Sequence, residues 1–91
     1  LMGPIVEFVL TRSEQIVAEV KLVLRVMQIT GFEPPESTWQ LAIVHVSRQK
    51  QLVENTCGTI RSGLRKLRPK SRTIAAVWTK EWESRYQRVL D

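Results

Sequence analysis

The side chains best suited to chemistry in this sequence form a basic cluster near its middle. Residues 45–72 contain eight Lys and Arg against the single acid Glu54, whereas residues 1–44 contain three basic and five acidic residues. The formal net charge of +5 therefore comes from one segment. Such a segment attracts an acidic partner, either a phosphate backbone or an acidic peptide. The alternative is a solvated face on a scaffold or oligomerisation unit.

Residues for nucleophilic or metal chemistry are sparse. A reactive thiol needs a nearby base, and the chain has only Cys57 and His45 to form such a pair. Cys57 is more typical of a small, half-buried residue. The sequence contains no Gly-rich phosphate loop, no His/Cys cluster with metal spacing and no Ser–His–Asp set. We therefore predict a protein that is not an enzyme and that binds no metal or cofactor.

Length and hydropathy predict a single domain over residues 1–91 with no membrane segment. The longest apolar stretch, residues 16–29, is interrupted by Glu19, Lys21 and Arg25 and is too short to span a bilayer. The N-terminus has no basic region before an apolar run, so no signal peptide is expected. A lone thiol cannot form an internal disulfide, which favours a reducing compartment. Because residue 1 is Leu, we expect a fragment of a longer protein.

The first long helix is predicted over residues 12–30. Thr11 to Glu14 resembles a capping box, and Gly31 suits a left-handed C-cap before two prolines. A short helical turn is expected before it, over residues 5–10. A strand is the alternative, since apolar residues between 20 and 26 also alternate, but the caps and the length favour a helix. The apolar residues at helical spacing are Ile16, Val20, Val23, Leu24 and Met27.

Further helical segments are predicted before Pro69. Residues 37–40 form a second capping box, and the helix they open is expected to break near Ser47. Gly58 is then expected to interrupt the chain before another helix, which has one basic face. Residues 69–72 are predicted to be a short basic linker. The apolar face of the helix after Gly58 holds Ile60, Leu64 and Leu67.

A final helix is predicted over residues 73–90. Its apolar residues recur every three or four positions, which is the pattern of a helix packing one face into a core. This stripe consists of Ile74, Trp78, Trp82, Tyr86 and Val89 or Leu90. The whole chain is therefore predicted to be all-α, a compact four- to five-helix bundle around one core.

One order of residues in the C-terminal half can be compared with a known family. It consists of Leu52, Gly58, Leu64, Arg65, Lys66, Ile74, Ala75, Trp78 and Trp82. This order resembles the N-terminal domain of transcription factor IIS, whose fold also occurs in elongin A, a Mediator subunit and the integrase-binding domain of lens epithelium-derived growth factor. The resemblance covers about residues 46–90. It departs at Trp78, where the family usually has Leu, and at Asn55, where Thr is common.

The resemblance implies a five-helix, monomeric docking domain of a nuclear transcription or chromatin protein. Such domains bind short disordered motifs that combine acidic residues with an apolar anchor. Basic side chains would face the acids, and an apolar pocket would hold the anchor. The alternative is a nucleic-acid-binding domain, because residues 51–67 can be aligned with a helix-turn-helix that has Gly58 in its turn, although Glu54 falls where that motif needs a small residue. The residues assigned to partner binding are Ile60, Arg61, Leu64, Arg65, Lys66, Arg68, Lys70, Arg72 and Phe32.

Overall fold

The computed structural model describes residues 2–66 and 78–91, and in these ranges the chain is helical with no β-strand. Helix α1 spans Met2–Thr30, α2 spans Glu36–Val53, α3 spans Thr59–Lys66 and α4 spans Lys80–Leu90. A π-helical turn, Glu54–Gly58, joins α2 to α3 without leaving helical backbone. The all-α prediction is confirmed, but the described residues form three helical rods, because α2, the π turn and α3 are continuous. The predicted 69–72 linker and the predicted helical residues 73–77 lie outside the described residues.

Helix α1 is one helix where the sequence predicted a short turn followed by a second helix. The predicted capping box at Thr11 and Glu14 is wrong, because both side chains lie in mid-helix and accept hydrogen bonds from Arg85 of α4. The predicted C-terminal end of this helix, at residue 30, is confirmed. Gly31 adopts a φ of +72°, and the Phe32 amide donates to the carbonyl of Met27 at 3.0 Å. These are the features of a Schellman cap.

Helix α2 begins one residue before the predicted cap. Pro35 occupies the N-cap position with no side-chain hydrogen bond, and its carbonyl accepts from the amides of Thr38 and Trp39. The capping box predicted from Ser37 is therefore wrong. Glu36 in the first turn complements the helix dipole. The break predicted near Ser47 is also wrong, because the helix continues through that residue.

Gly58 does not interrupt the chain. It ends the π turn inside a continuous helix, where a Cβ atom would lie 2.8 Å from the Tyr86 hydroxyl oxygen. The glycine therefore provides room for an aromatic ring and does not form the tight turn between helices that the sequence predicted.

Helix α4 begins at Lys80, seven residues later than predicted. Thr79 is its N-cap, with an extended ψ of 160°, and the Thr79 hydroxyl accepts a hydrogen bond from the Trp82 amide at 3.1 Å. Trp78 consequently precedes the helix. It is still buried, and its ring makes edge contacts with those of Trp82 at 5.6 Å and Tyr86 at 5.9 Å between centroids.

The core lies at one end of an elongated molecule with extents of 54 × 19 × 19 Å. Within the described ranges, the core is enclosed by α1, the α2–α3 rod and α4. Helix α4 has 11 residues against 29 in α1. At 1.5 Å per residue these helices are about 16 and 43 Å long. The rest of α1 and α2 forms a two-helix hairpin, here called the arm, that extends beyond the core. The buried core residues are Val6, Val9, Leu10, Val53, Cys57, Trp78, Tyr86 and Val89.

Candidate functional site

Among the predicted partner-binding residues, Arg61 is engaged within the fold. Its guanidinium forms an ion pair with Glu83 of α4, with Nε donating to Oε2 at 2.8 Å, and it lies over the Tyr86 ring at 5.5 Å from the centroid. Removing this cation would therefore weaken the α3–α4 contact as well as any partner contact. Its geometry is that of a residue that holds two helices together.

The other predicted residues do not form one site. Ile60 and Leu64 are partly buried and pack against the core, whereas Lys66 is exposed. Phe32 lies in the turn at the far end of the arm and is 58% exposed. The α2–α3 rod runs from Glu36, near Phe32, to Lys66. At 1.5 Å per residue, this places Phe32 about 45 Å from Lys66. The side chain of Arg65, and all of Arg68, Lys70 and Arg72, lie outside the described residues.

A polar groove of about 510 Å³ lies beside Lys66. The small residues Gly58, Ser62 and Gly63 keep it open, and the Tyr86 ring forms one wall. Burial raises the pKa of Tyr86 further above neutral pH, and its hydroxyl can donate a hydrogen bond. Glu54 also lines this groove, and its carboxylate would repel an acidic ligand. The full lining consists of Glu54, Gly58, Thr59, Ser62, Gly63, Lys66 and Tyr86.

A second and mostly apolar groove runs along the arm between α1 and α2, where α4 no longer covers them. Its volume is about 390 Å³, and it meets a pocket of about 230 Å³ at the arm's tip, since Leu24 and Trp39 line both. Phe32, one of the predicted partner-binding residues, lines the tip pocket together with apolar residues and the acidic Glu33. We call the two together the arm groove. The larger part is lined by Val20, Leu24, Trp39, Ala42, Ile43, Val46, Ser47 and Lys50.

The charge beneath α4 is acidic. Arg85 of α4 donates to Glu7 at 2.7 Å, to Thr11 at 3.1 Å and to Glu14 at 3.1 Å, which clamps α4 onto one stripe of α1. The hydrogen bonds that Arg85 donates to Glu14 and then to Glu7 raise the pKa of Arg85, and those donated by Arg85 and then Trp82 hold the pKa of Glu7 below its ordinary value. Acidic residues on α1 therefore match a cation on α4.

Beyond the end of α4 the charge on this stripe reverses. Lys21 follows Glu14 by seven residues and Arg25 follows Thr11 by fourteen, so both continue the face of α1 that contacts α4. Both are exposed, and Lys50 lines the groove from α2. A segment lying in the arm groove, in line with α4, would thus meet an apolar floor with Lys50 at its edge and with Lys21 and Arg25 on the adjoining face of α1. The acidic Glu33 lines the tip end of the groove.

Two observations concern the metal and thiol chemistry considered from the sequence. No group of three or more His, Cys, Asp or Glu side chains converges within residues 2–66 and 78–91. Cys57 is buried, which raises its pKa. His45 lies twelve residues earlier on the same rod, about 18 Å away at 1.5 Å per residue, so the two cannot form a catalytic pair. No helix in the described part of the chain is long and apolar enough to cross a membrane.

The arm groove was missed at the sequence level because its residues were assigned to a core. Val20, Leu24, Ala42, Ile43 and Val46 have the spacing of buried helix faces, and nothing in that spacing says how far the covering helix reaches. The decisive lengths came from the structure, because the sequence predicted a last helix over residues 73–90. The observed α4 of 11 residues cannot cover the 29 residues of α1.

No protein-family profile matches this chain, and no curated protein or solved structure is significantly similar to it. The resemblance to the transcription factor IIS domain therefore remains a prediction that rests on the residues quoted above.

Proposed function

We propose that this chain is a non-catalytic docking domain that binds a short acidic and apolar segment of another protein as a helix in the arm groove. The observation that carries the proposal is the early end of α4. It leaves an apolar groove open on the arm, with Lys50 in its lining and the exposed Lys21 and Arg25 on the face of α1 that continues from α4. A nuclear, transcription-associated setting belongs to this proposal through the sequence resemblance alone.

The length of the groove supports a helical ligand. The hydrogen bonds of α4 to α1 reach Glu14 through Arg85, and α4 continues five residues past Arg85 to Leu90. Trp82 lies near Gly3 while Arg85 reaches Glu14, so the two helices run in the same direction and about 11 residues of α1 remain beyond α4. That is about 16 Å at 1.5 Å per residue, or roughly three helical turns. Helix-in-groove recognition uses apolar anchors at i, i+3, i+4 and i+7, and three turns hold one such set.

The charges support an acidic ligand. Lys21 and Arg25 stand where Glu14 and Thr11 stand beneath α4, so a segment that reproduces the packing of α4 here needs carboxylates where α4 has Arg85. Complementary charge of this kind steers association and selects partners more than it adds affinity. A disordered segment that folds on binding also loses conformational entropy, so the affinity is expected to be modest.

The nucleic-acid alternative receives less support. A helix-turn-helix needs a turn between two helices, and residues 51–66 form a continuous helix through the π turn. Of the basic side chains in residues 45–72 that the structure describes, Arg61 is already paired with Glu83. Binding to DNA therefore enters as an outcome of the test.

The experiment is a chemical-shift titration of the isotopically labelled domain at about 0.15 M salt, where exposed charges are screened beyond about 8 Å. The ligands are a designed amphipathic peptide with Leu anchors and flanking Glu, a scrambled peptide of the same composition, and a short DNA duplex. We expect shifts at Trp39 and Ile43 with the amphipathic peptide only. Salt-sensitive shifts around Lys66 with DNA would favour the nucleic-acid alternative.

Two matched variants locate the site. Ile43→Glu places a charge in the groove and should abolish peptide binding. Leu41→Glu is the control, because Leu41 is equally exposed but lies two residues away, on the opposite side of α2. Both side chains are exposed, so both variants should fold, which circular dichroism checks. The assignment would be contradicted if both variants lost binding equally, or if neither variant lost binding.

A further inference from the structure

The outer face of α1 has no partner among the described residues. It points away from both the α2 side, marked by buried Val6 and Leu10, and the α4 side, marked by Glu7 and Glu14. Its side chains are exposed although four of the six are large and apolar. We call it the outer stripe, and it consists of Ile5, Phe8, Arg12, Glu19, Val23 and Val26.

The spacing of the outer stripe is symmetric about its middle. From the N-terminal end, Phe8 follows Ile5 by three residues and Arg12 follows Phe8 by four. From the C-terminal end, Val23 precedes Val26 by three residues and Glu19 precedes Val23 by four. Two apolar residues at each end therefore flank one charge, and the two charges are opposite. Arg12 and Glu19 have no ion-pair partner within residues 2–66 and 78–91.

We propose that two copies of this chain associate through the outer stripes of their α1 helices, antiparallel and about a two-fold axis near residues 15 and 16. A two-fold interface uses the same patch on both subunits and must be self-complementary. In this arrangement Arg12 of each copy faces Glu19 of the other. Phe8 faces Val23, and Ile5 faces Val26, so apolar residues also meet apolar residues.

The pattern excludes parallel pairing. Side by side and in register, two parallel α1 helices would place Arg12 against Arg12 and Glu19 against Glu19, and like charges in an interface are repulsive. The antiparallel arrangement turns both pairs into attractive ones. It also leaves the arm groove open, because Val20 and Leu24 of the groove lie on a different face of α1 from Val23 and Val26.

The interface is small. From Ile5 to Val26 the stripe spans about 32 Å, and at a helix width of about 10 Å this is well below the roughly 800 Å² per partner of a standard stable interface. We therefore expect a reversible monomer–dimer equilibrium that depends on concentration.

Sedimentation equilibrium over a range of protein concentrations measures this association. Arg12→Glu alone and Glu19→Arg alone each replace two attractive contacts by two repulsive ones, so each should weaken the dimer by about tenfold or more. The double variant exchanges the charges and should recover the wild-type dissociation constant to within about threefold, a factor set by its unchanged apolar contacts.

Mixing the two single variants gives the decisive result. One then carries Glu at both positions and the other Arg at both, so an antiparallel heterodimer has two attractive pairs while either homodimer has two repulsive ones. We expect the mixture to dimerise at least about ten times more tightly than either variant alone. Arg48→Glu makes the same charge reversal on an exposed residue of α2, so it is the matched control and should leave the dimer unchanged.

A wild-type chain that stays monomeric up to millimolar concentration would overturn the proposal. A dimer that is equally strong in all the charge variants would do the same, because its interface would then lie elsewhere. Loss of dimer in the single variants without recovery in the double variant or in the mixture would overturn the antiparallel pairing. Peptide binding to the arm groove is measured separately, so the two proposals can fail independently.

Discussion

Replacing Gly58 with alanine tests how closely the π turn packs against α4. A Cβ atom at this position lies 2.8 Å from the Tyr86 hydroxyl oxygen and 3.6 Å from its ring carbon Cζ. The hydroxyl borders the open groove beside Gly58, but the ring that carries it is held in place. It is buried, it meets the ring of Trp78 edge-on, and the guanidinium of Arg61 lies over it. The added methyl group is therefore expected to press against a ring held from several sides.

Two opposing effects set the magnitude. Overpacking a filled site costs about 1–3 kcal/mol, while alanine favours helix over glycine by about 1 kcal/mol. The net result at Gly58 is a loss of about 1 kcal/mol in the free energy of unfolding. At Gly63 of α3, an added Cβ meets no described atom within 4 Å, so only the favourable effect operates. The two substitutions should therefore differ by about 2 kcal/mol, with opposite signs.

Urea denaturation followed by circular dichroism measures both variants against the wild type, and the thermal midpoints should differ by on the order of 10 °C. Tyr86→Phe removes the atom at 2.8 Å and leaves a contact of ordinary length. Gly58→Ala should thus cost less in the Tyr86→Phe background than alone. If Gly58→Ala stabilises the protein as much as Gly63→Ala does, the close packing of Tyr86 on the π turn is refuted.

Three further predictions concern the clamp on α1 and the buried thiol. Arg85→Met should lower the free energy of unfolding by about 1–2 kcal/mol in urea titrations, because Glu7 and Glu14 lose a shared cation. Arg85→Lys should retain only part of this stability, because one ammonium group cannot reach both carboxylates and Thr11. Hydrogen bonds from Arg85 and then Trp82 lower the pKa of Glu7, so its contribution to stability is complete above about pH 4.5. This contribution is lost as the pH falls from there through the lower pKa of the folded state. In the Glu7→Gln variant, the thermal midpoint should therefore fall less steeply over that pH range. Burial of Cys57 raises the pKa of its thiol, so a thiol reagent should modify it no faster than the chain opens, and labelling of the native protein as fast as that of the unfolded chain would contradict this.

Local sequence patterns predicted the class of structure but not the lengths of its helices. Gly31 was read correctly because its left-handed backbone depends only on its immediate neighbours. The hydroxyl and carboxylate of Thr11 and Glu14 suit a helix cap, but the same two groups can also accept hydrogen bonds from a distant arginine. Arg85 is more than 70 residues away in sequence, and no local pattern reveals that contact.

The last helix shows a similar limit. Trp78 and Trp82 are four residues apart, which is the spacing of one helical face, yet Thr79 between them adopts an extended backbone and caps the helix. Both rings still reach the core, so the prediction that they are buried together was confirmed for a different backbone path. Among the predicted site residues, Phe32 lines a pocket at the arm's tip, and its role in binding stays a prediction. The engagement of Arg61 by Glu83 could be seen only in the tertiary structure.

The position of the core at one end also determines how the molecule opens. Amide hydrogens exchange through local openings whose free energy rises with the apolar contacts that must be broken. In α1, the amides around Val6 and Leu10 lie in the three-rod core, whereas those around Val26 lie in a two-helix arm with exposed apolar side chains. A single helix should therefore show a gradient of protection, with slow exchange near its N-terminal half and fast exchange toward Thr30. A ligand in the arm groove would slow exchange along the arm while changing the thermal midpoint of the core comparatively little, so the two ends can respond separately although one helix joins them.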